Sequence, residues 1–283
     1  MERVESNRRR ETLLLFTCDF EYSPEARSRK LKRDDRLNRG YKLLVDILNK
    51  HEIKSTFFVE GKLCIDHPEF IEDLYKDGHE IGSHGFDHIC FTNLWPTFGS
   101  FGITSLHKRK VDIEKSKQSI YSIIKKKPVV FRAPYLAIDE SSLKILENEG
   151  FLLDSSLYNP AFGKLSYPYH PSKNDLVLEG EMKILEVPVT VSLTPYRKFI
   201  YWRYPSIFEV EEKDIPKAVY LIKSYYHRFG YPFALFVTLI HPYELCSSTM
   251  LSKVLTFLKT MNSIGATSLT ATRLIEKFKT VSF

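Results

Sequence analysis

Cysteine is scarce in this chain of 283 residues, with four in all. Cys18, Cys64, Cys90 and Cys246 show no CxxC spacing. That argues against a disulfide scaffold and a structural zinc ribbon, and for a reducing compartment. No run of about 18 apolar residues occurs, so no transmembrane helix is expected. The stretch Met1 to Arg10 lacks the apolar core of a signal peptide, so the expected location is cytoplasmic. No GxGxxG turn follows the first apolar run, and there is no GxxxxGK[ST] phosphate loop. No fixed-period repeat and no low-complexity linker appears. The chain therefore reads as a single domain over 1–283, with residues 1–11 expected to be flexible. Excess charge is also slight: 41 basic against 35 acidic side chains. The basic cluster Arg27 to Arg36 includes Asp34 and Asp35, and no nucleic-acid motif accompanies it, so nucleic acid is not an expected partner.

What is present is an ordinary globular balance, 43% hydrophobic and 27% charged, which excludes disorder as the main state. Strand and helix patterns alternate. Apolar runs predict strands at Leu13 to Phe20, Ser55 to Val59, Glu80 to His84, Val129 to Arg132, Phe151 to Ser155, Ile184 to Val191 and Phe233 to His241, with a short one near Thr267. Helical spacing is read over Leu37 to Leu48, Pro68 to Lys76, Lys110 to Lys127, Ser141 to Glu149, Ile215 to Phe229, Thr249 to Ser263 and Thr272 to Phe278. Roughly seven strand–helix units in this order favour an α/β fold with a parallel sheet, and a closed barrel over a doubly wound sheet. Three aperiodic segments interrupt them: Ile89 to Arg109, Tyr158 to Gly180 and Ser192 to Lys213. They carry Trp95, Phe98, Phe101, Phe162, Tyr167, Tyr169, Tyr196, Tyr201, Trp202 and Tyr204. These aromatics either cap the core or form a platform for a sugar.

Polar groups gather at the ends of the apolar runs. In the first strand Asp19 and Glu21 share a face, because side chains alternate with a period of two. Two carboxylates there need an ion pair or a metal. His84 and His88 are four apart, which predicts both imidazoles on one side of a helical turn. Two histidines and a carboxylate with open positions describe a catalytic divalent-metal site, most often zinc. Arg132 closes the fourth strand and needs an acidic partner, for which Asp19 is the candidate. Asp154 and His241 close two later strands. His241 suits either a packed core position or a general acid.

Five ordered segments then carry a resemblance: Thr17-Cys18-Asp19-Phe20-Glu21, His84-Gly85-Phe86-Asp87-His88, Arg132-Ala133-Pro134-Tyr135, Asp154-Ser155-Ser156 and Leu239-Ile240-His241. The set resembles the polysaccharide deacetylase family, the NodB-homology carbohydrate esterases. That family's pattern is T-F-D-D, H-[ST]-x-x-H, R-x-P-[YFW], D-[SAG]-[SY] and L-x-H. The resemblance implies a distorted (β/α)7 barrel. It also implies that Asp19 is the catalytic base and that His84 and His88 are metal ligands. The family's second aspartate, a ligand, corresponds in position to Phe20, which cannot bind metal, so the ligand role passes to Glu21. Gly85 replaces the usual Ser or Thr, removing a hydroxyl beside the ligands.

The implied activity is removal of an N-acyl group, foremost N-acetyl, from an amino sugar, with a divalent metal, zinc first, as cofactor. Arg132 is expected to orient Asp19, and the backbone N–H of Tyr135 to stabilise the oxyanion. His241 is expected to protonate the leaving amine, with Asp154 raising its pKa. The expected substrate is a small-molecule, lipid-linked or polymeric carbohydrate, a cytoplasmic carrier-linked sugar being the better match to the sequence. The rivals are hydrolysis of another C–N bond, such as a formamide or ring amide, and a metal-free carbohydrate-binding or scaffold protein.

Overall fold

The computed structural model describes residues 11–31, 33–93, 104–158, 167–192 and 206–280. Its strands are β1 (Glu11–Leu15), β2 (Thr17–Phe20), β3 (Thr56–Val59), β4 (Glu80–Ser83), β5 (Val130–Phe131), β6 (Leu153–Asp154), β7 (Leu185–Glu186), β8 (Phe233–Val237) and β9 (Thr267–Ser268). Its helices are α1 (Pro24–Ser28), α2 (Asp35–Lys50), α3 (Gly61–Asp66), α4 (Pro68–Lys76), α5 (Leu106–Ile124), α6 (Glu140–Asn148), α7 (Ile215–Arg228), α8 (Ser248–Ser263) and α9 (Ala271–Lys279).

The first apolar run is one strand in sequence and two in space. It breaks at Phe16, where the pairing partners change. β1 lies parallel between β8 and β9, whereas β2 opens a six-stranded parallel sheet in the order β2-β3-β4-β5-β6-β7. The Phe16 carbonyl accepts from Thr56 N–H at 3.1 Å and from Ser55 Oγ at 2.7 Å. The two sheets close into a distorted barrel through the chain beyond β7 and β8. There the Thr190 N–H donates to the Val237 carbonyl (2.9 Å), and the Asp19 N–H to the Ile240 carbonyl (2.9 Å). Strands β2, β3 and β8 are buried throughout, as near-continuous apolar strands covered on both faces must be.

Helices pack outside this sheet. The apolar stripe of α2 (Leu37, Tyr41, Leu44, Leu48) is buried, as its helical spacing predicts. A second cluster sets Phe91, Ile113, Leu143, Leu146 and Phe151 around Phe131 of β5.

Several boundaries differ from expectation. Glu11, expected to belong to a flexible start, pairs with Phe233 in β1. Helix α5 begins four residues before Lys110, because Ser105 caps it by accepting from Lys108 N–H at 3.3 Å. It ends where Lys125 turns left-handed at φ 56°, ahead of Pro128. The strand expected over Ile184 to Val191 is regular only at Leu185–Glu186, with single bridges at Val189 and Val191. Pro188 has no N–H to offer the ladder. Among the described residues no helix is long and apolar enough to cross a membrane.

Candidate metal centre

Parallel strands deliver their C-terminal ends to one rim, and the side chains singled out from the sequence meet there. One ligand atom each from Glu21, His84 and His88 lies within 4.8 Å of the others, and all three residues are buried. Glu21 Oε2 is 3.5 Å from His84 Nε2 and makes a closer contact with His88 Nε2. The His84 ring is aimed by its far nitrogen, which donates to the Arg132 carbonyl at 2.8 Å. That bond places the lone pair on Nε2, toward the cluster. His88 Nδ1 is buried and has no hydrogen-bond partner among the described residues. Two imidazoles and one carboxylate, with no fourth ligand in the group among the described residues, are a donor set that suits a divalent cation of catalytic type. Burial opposes ionisation of Glu21, but the imidazoles of His88, His84 and His241 around it hold its carboxyl well below the usual range. Burial, countered in part by Glu21, lowers the pKa of His88 and favours the neutral ring a ligand needs.

The two histidines reach the cluster from a loop, not from the helical turn their spacing predicted. Their ring centroids are 5.5 Å apart. The loop is held by Asp112 of α5, whose carboxylate accepts the N–H groups of Phe86 (2.7 Å) and Asp87 (2.9 Å). Gly85 has φ +70°, and a Cβ there would come within 2.8 Å of Asp112 Oδ1. A serine or threonine at this position would be strained and would clash. His88 itself is left-handed at φ 50°, a strained conformation of a kind that clusters at functional sites.

Asp19 lies beside this cluster, buried, with Oδ1 accepting from Arg132 Nη1 at 2.9 Å. Arg132 is wholly buried and also donates to Thr17 Oγ1, to Ser155 Oγ and to the Ser155 carbonyl. Its plane is thus fixed on four acceptors, and the expected Asp19–Arg132 pair is present. Tyr135 sits in the turn after β5 in a left-handed conformation, φ 62°. Its half-exposed ring meets the His88 ring edge-on at 4.4 Å.

His241 is on the same rim, its Nε2 3.6 Å from Glu21 Oε1. The expectation that Asp154 would be its partner is corrected. His241 Nδ1 pairs with Glu244 Oε2 at 3.1 Å, and the same oxygen accepts the His241 N–H at 2.8 Å. Burial would lower the His241 pKa, but the Glu244 hydrogen bond and the charges of Glu21 and Asp19 push it up to about 9. Asp154 instead accepts from Ser156 Oγ and N–H and faces Glu186 across β6 and β7. Burial pushes both carboxyls above their usual range, Glu186 further through its closeness to Asp154.

Sequence reasoning also passed over Arg27, Glu60, Asp112 and Tyr243. Glu244 had a signal: Pro242 after His241 and a glutamate three residues on mark a reciprocal cap. Of the loop aromatics, Tyr167 stacks on Tyr231 at 4.8 Å within a ring cluster that includes Phe233. Tyr169 donates its hydroxyl to the Leu176 carbonyl. Both serve packing. Trp95, Phe98, Phe101, Phe162, Tyr196, Tyr201, Trp202 and Tyr204 lie outside the described residues.

The resemblance to the polysaccharide deacetylases holds: residues 23–153 match the family model described as Polysaccharide deacetylase. The match takes in His84, His88, Arg132 and Tyr135. A peptidoglycan-N-acetylglucosamine deacetylase of Listeria monocytogenes is 28% identical over 97 residues, which are 34% of this chain and 19% of that protein. The chain spans less than half the length of the first curated relatives it matches. Among solved structures, the Bc1960 peptidoglycan N-acetylglucosamine deacetylase superposes with a TM-score of 0.54 at 15% identity, covering 92% of this chain and 86% of that one. Puue allantoinase superposes with a TM-score of 0.70 at 13% identity, covering 95% and 91%. These two likenesses show the shared barrel.

Proposed function

We propose that the chain is a metal-dependent hydrolase that removes an N-acyl group, foremost N-acetyl, from an amino sugar. The observation that carries this reading is the convergence of Glu21, His84 and His88 within 4.8 Å, beside a buried Asp19–Arg132 pair and His241. The deacetylase named among the relatives supports the substrate class.

A divalent cation held by Glu21, His84 and His88, zinc by the donor set, supplies a Lewis acid and a water of lowered pKa. Asp19 takes the proton from the attacking water. Arg132 keeps the Asp19 carboxylate in one orientation, so that its free oxygen serves as the base. The backbone N–H of Tyr135 stabilises the oxyanion that develops at the amide carbonyl. His241, held protonated by Glu244, gives its proton to the leaving amine, which is otherwise too basic to depart.

The test is mass spectrometry of N-acetylated and N-formylated amino sugars and of ring amides incubated with the zinc-loaded protein. Loss of the acetyl group is expected, with Asp19→Asn retaining zinc but slower by roughly two to four orders of magnitude, the usual scale for a general base. Turnover only of formyl or ring amides moves the reading to that other C–N bond. A chain that binds no zinc and turns over none of these is the scaffold alternative.

A further inference from the structure

Glu21 stands one residue beyond the end of β2, and its side chain has three rotatable bonds. A flexible carboxylate loses affinity as a ligand unless other groups fix it beforehand. Both of its oxygens are held here by residues to which neither the family pattern nor the sequence reading assigns a role. Oε2, the oxygen facing the two histidines, lies 3.4 Å from Arg27 Nη2. Oε1 accepts from the Tyr243 hydroxyl at 3.2 Å.

Arg27 is itself fixed. It sits on α1, whose N-terminus is capped by Ser23 Oγ. Its guanidinium forks onto Glu60, with Nη1 to Oε1 at 3.1 Å and Nη2 to Oε2 at 2.8 Å. Glu60 follows β3 and is only 1% exposed. The bidentate geometry leaves one Nη2 edge directed at Glu21, a placement that a lysine ammonium cannot reproduce. An unpaired guanidinium so close to a ligand oxygen would repel a bound cation. Together with Glu60 it forms a pair with no net charge, which orients the ligand without opposing the metal.

Resting on the metal-dependent reading above, we infer that the Arg27–Glu60 pair and Tyr243 form a two-sided clamp that positions Glu21 as the metal ligand. Arg27, Glu60 and Tyr243 are positioning residues. The clamp explains how a ligand one residue later and one methylene longer than aspartate can hold the same place.

The test is Zn2+ affinity, read by competition with a chelating dye on the full-length protein. The visible spectrum of the Co2+-substituted protein and the melting temperature of the metal-free protein are recorded alongside. Arg27→Gln is expected to weaken Zn2+ binding by about 10–100-fold, the usual cost of losing an outer partner of a ligand. Its Co2+ spectrum is expected to change and its metal-free melting temperature to hold. Glu60→Gln is expected to weaken binding further than Arg27→Gln, because it leaves the guanidinium unneutralised. The double variant is expected to recover part of that loss, and Arg27→Lys part of the Arg27→Gln loss. Tyr243→Phe, which removes one hydroxyl, gives an independent arm should Arg27→Gln fail to fold, and it too is expected to weaken Zn2+ binding. Unchanged Zn2+ affinity in Arg27→Gln and Tyr243→Phe, with the wild type binding zinc, overturns the clamp alone. So does a loss that only tracks a lowered melting temperature of the metal-free protein. A wild type that does not bind zinc overturns the metal-dependent reading itself.

Discussion

His241 lies between two carboxylates, Glu21 on its Nε2 side and Glu244 on its Nδ1 side. Either charge stabilises the imidazolium, and Glu244 alone also makes a hydrogen bond to the ring. The pKa is therefore raised, and the ring remains an acid over the neutral range. Glu244→Gln removes that charge, so the imidazolium loses its proton at lower pH. The alkaline limb of the kcat/KM profile is expected to move down, toward the ordinary histidine value of about 6.5. Asp154→Asn is expected to leave the limb in place, because Asp154 bonds Ser156 and not His241. A limb unmoved by Glu244→Gln, or moved by Asp154→Asn, would return the role to Asp154. At this scale the sequence was most legible for groups that end apolar runs: Asp19, Arg132 and His241 stand out because a polar side chain there is costly without a partner. Arg27 and Glu60 were not legible. They are 33 residues apart on separate elements, and only the barrel brings them together.

Elements transmit position to the rim. Helix α2 packs against the turn Pro242–Cys246, which carries Tyr243 and Glu244 directly behind His241. Gly40 makes this approach possible. A Cβ there would overlap the Pro242 carbonyl and come within 3.0 Å of the Tyr243 nitrogen. Both contacts are backbone and cannot swing away. Gly40→Ala is expected to destabilise the protein by about 1–3 kcal/mol, the range for overpacking, despite the better helix propensity of alanine. It is also expected to lower activity by displacing His241, so chemical denaturation and a rate assay together check it. Stability equal to or above the wild type would show that the turn yields. The periodicity that gave α2 its buried face says nothing of this contact, since a glycine in a helical pattern reads as a mere weakness. The histidine loop is a similar case. A spacing of four suggested a helical turn, but Gly85 and His88 with positive φ, and a carboxylate from α5, make it a loop.

Across the whole molecule, stability should respond to acid through a group remote from the rim. His79 is 2% exposed and accepts the Ser55 N–H on Nδ1 at 3.1 Å. Burial, with Lys54 adding to it, pushes its pKa down to about 4. The unfolded chain thus takes up a proton near pH 6.5 while the folded chain refuses it. The contribution is fully present above about 6.5 and is lost as pH falls toward 4. Asp112 has the opposite sign. Burial raises it to about 6, so its contribution is present below about 3.8 and is lost as pH rises through 6. A difference measurement isolates the histidine. Urea midpoints between pH 7 and 4 are expected to fall more steeply in the wild type than in His79→Gln, whose amide oxygen can still accept the Ser55 N–H. Parallel slopes would show that His79 is protonated in the folded protein.

The apolar runs, the capped helices and the polar groups at strand ends follow from local chemistry: a period of two or 3.6, a proline or glycine stop, a charge where burial is costly. These by themselves determined the alternating α/β order, the parallel sheet and the residues that meet at the candidate site. The partnerships were decided only in three dimensions. Phe16 is apolar like its neighbours, and nothing local marks it as the point where one strand leaves β8 for β3. Closure of the barrel there sets Arg27, Glu60 and Tyr243 around Glu21, and brings Asp154 to Glu186. A partner across the barrel is chosen by distance in the closed sheet, which depends on every strand's register at once.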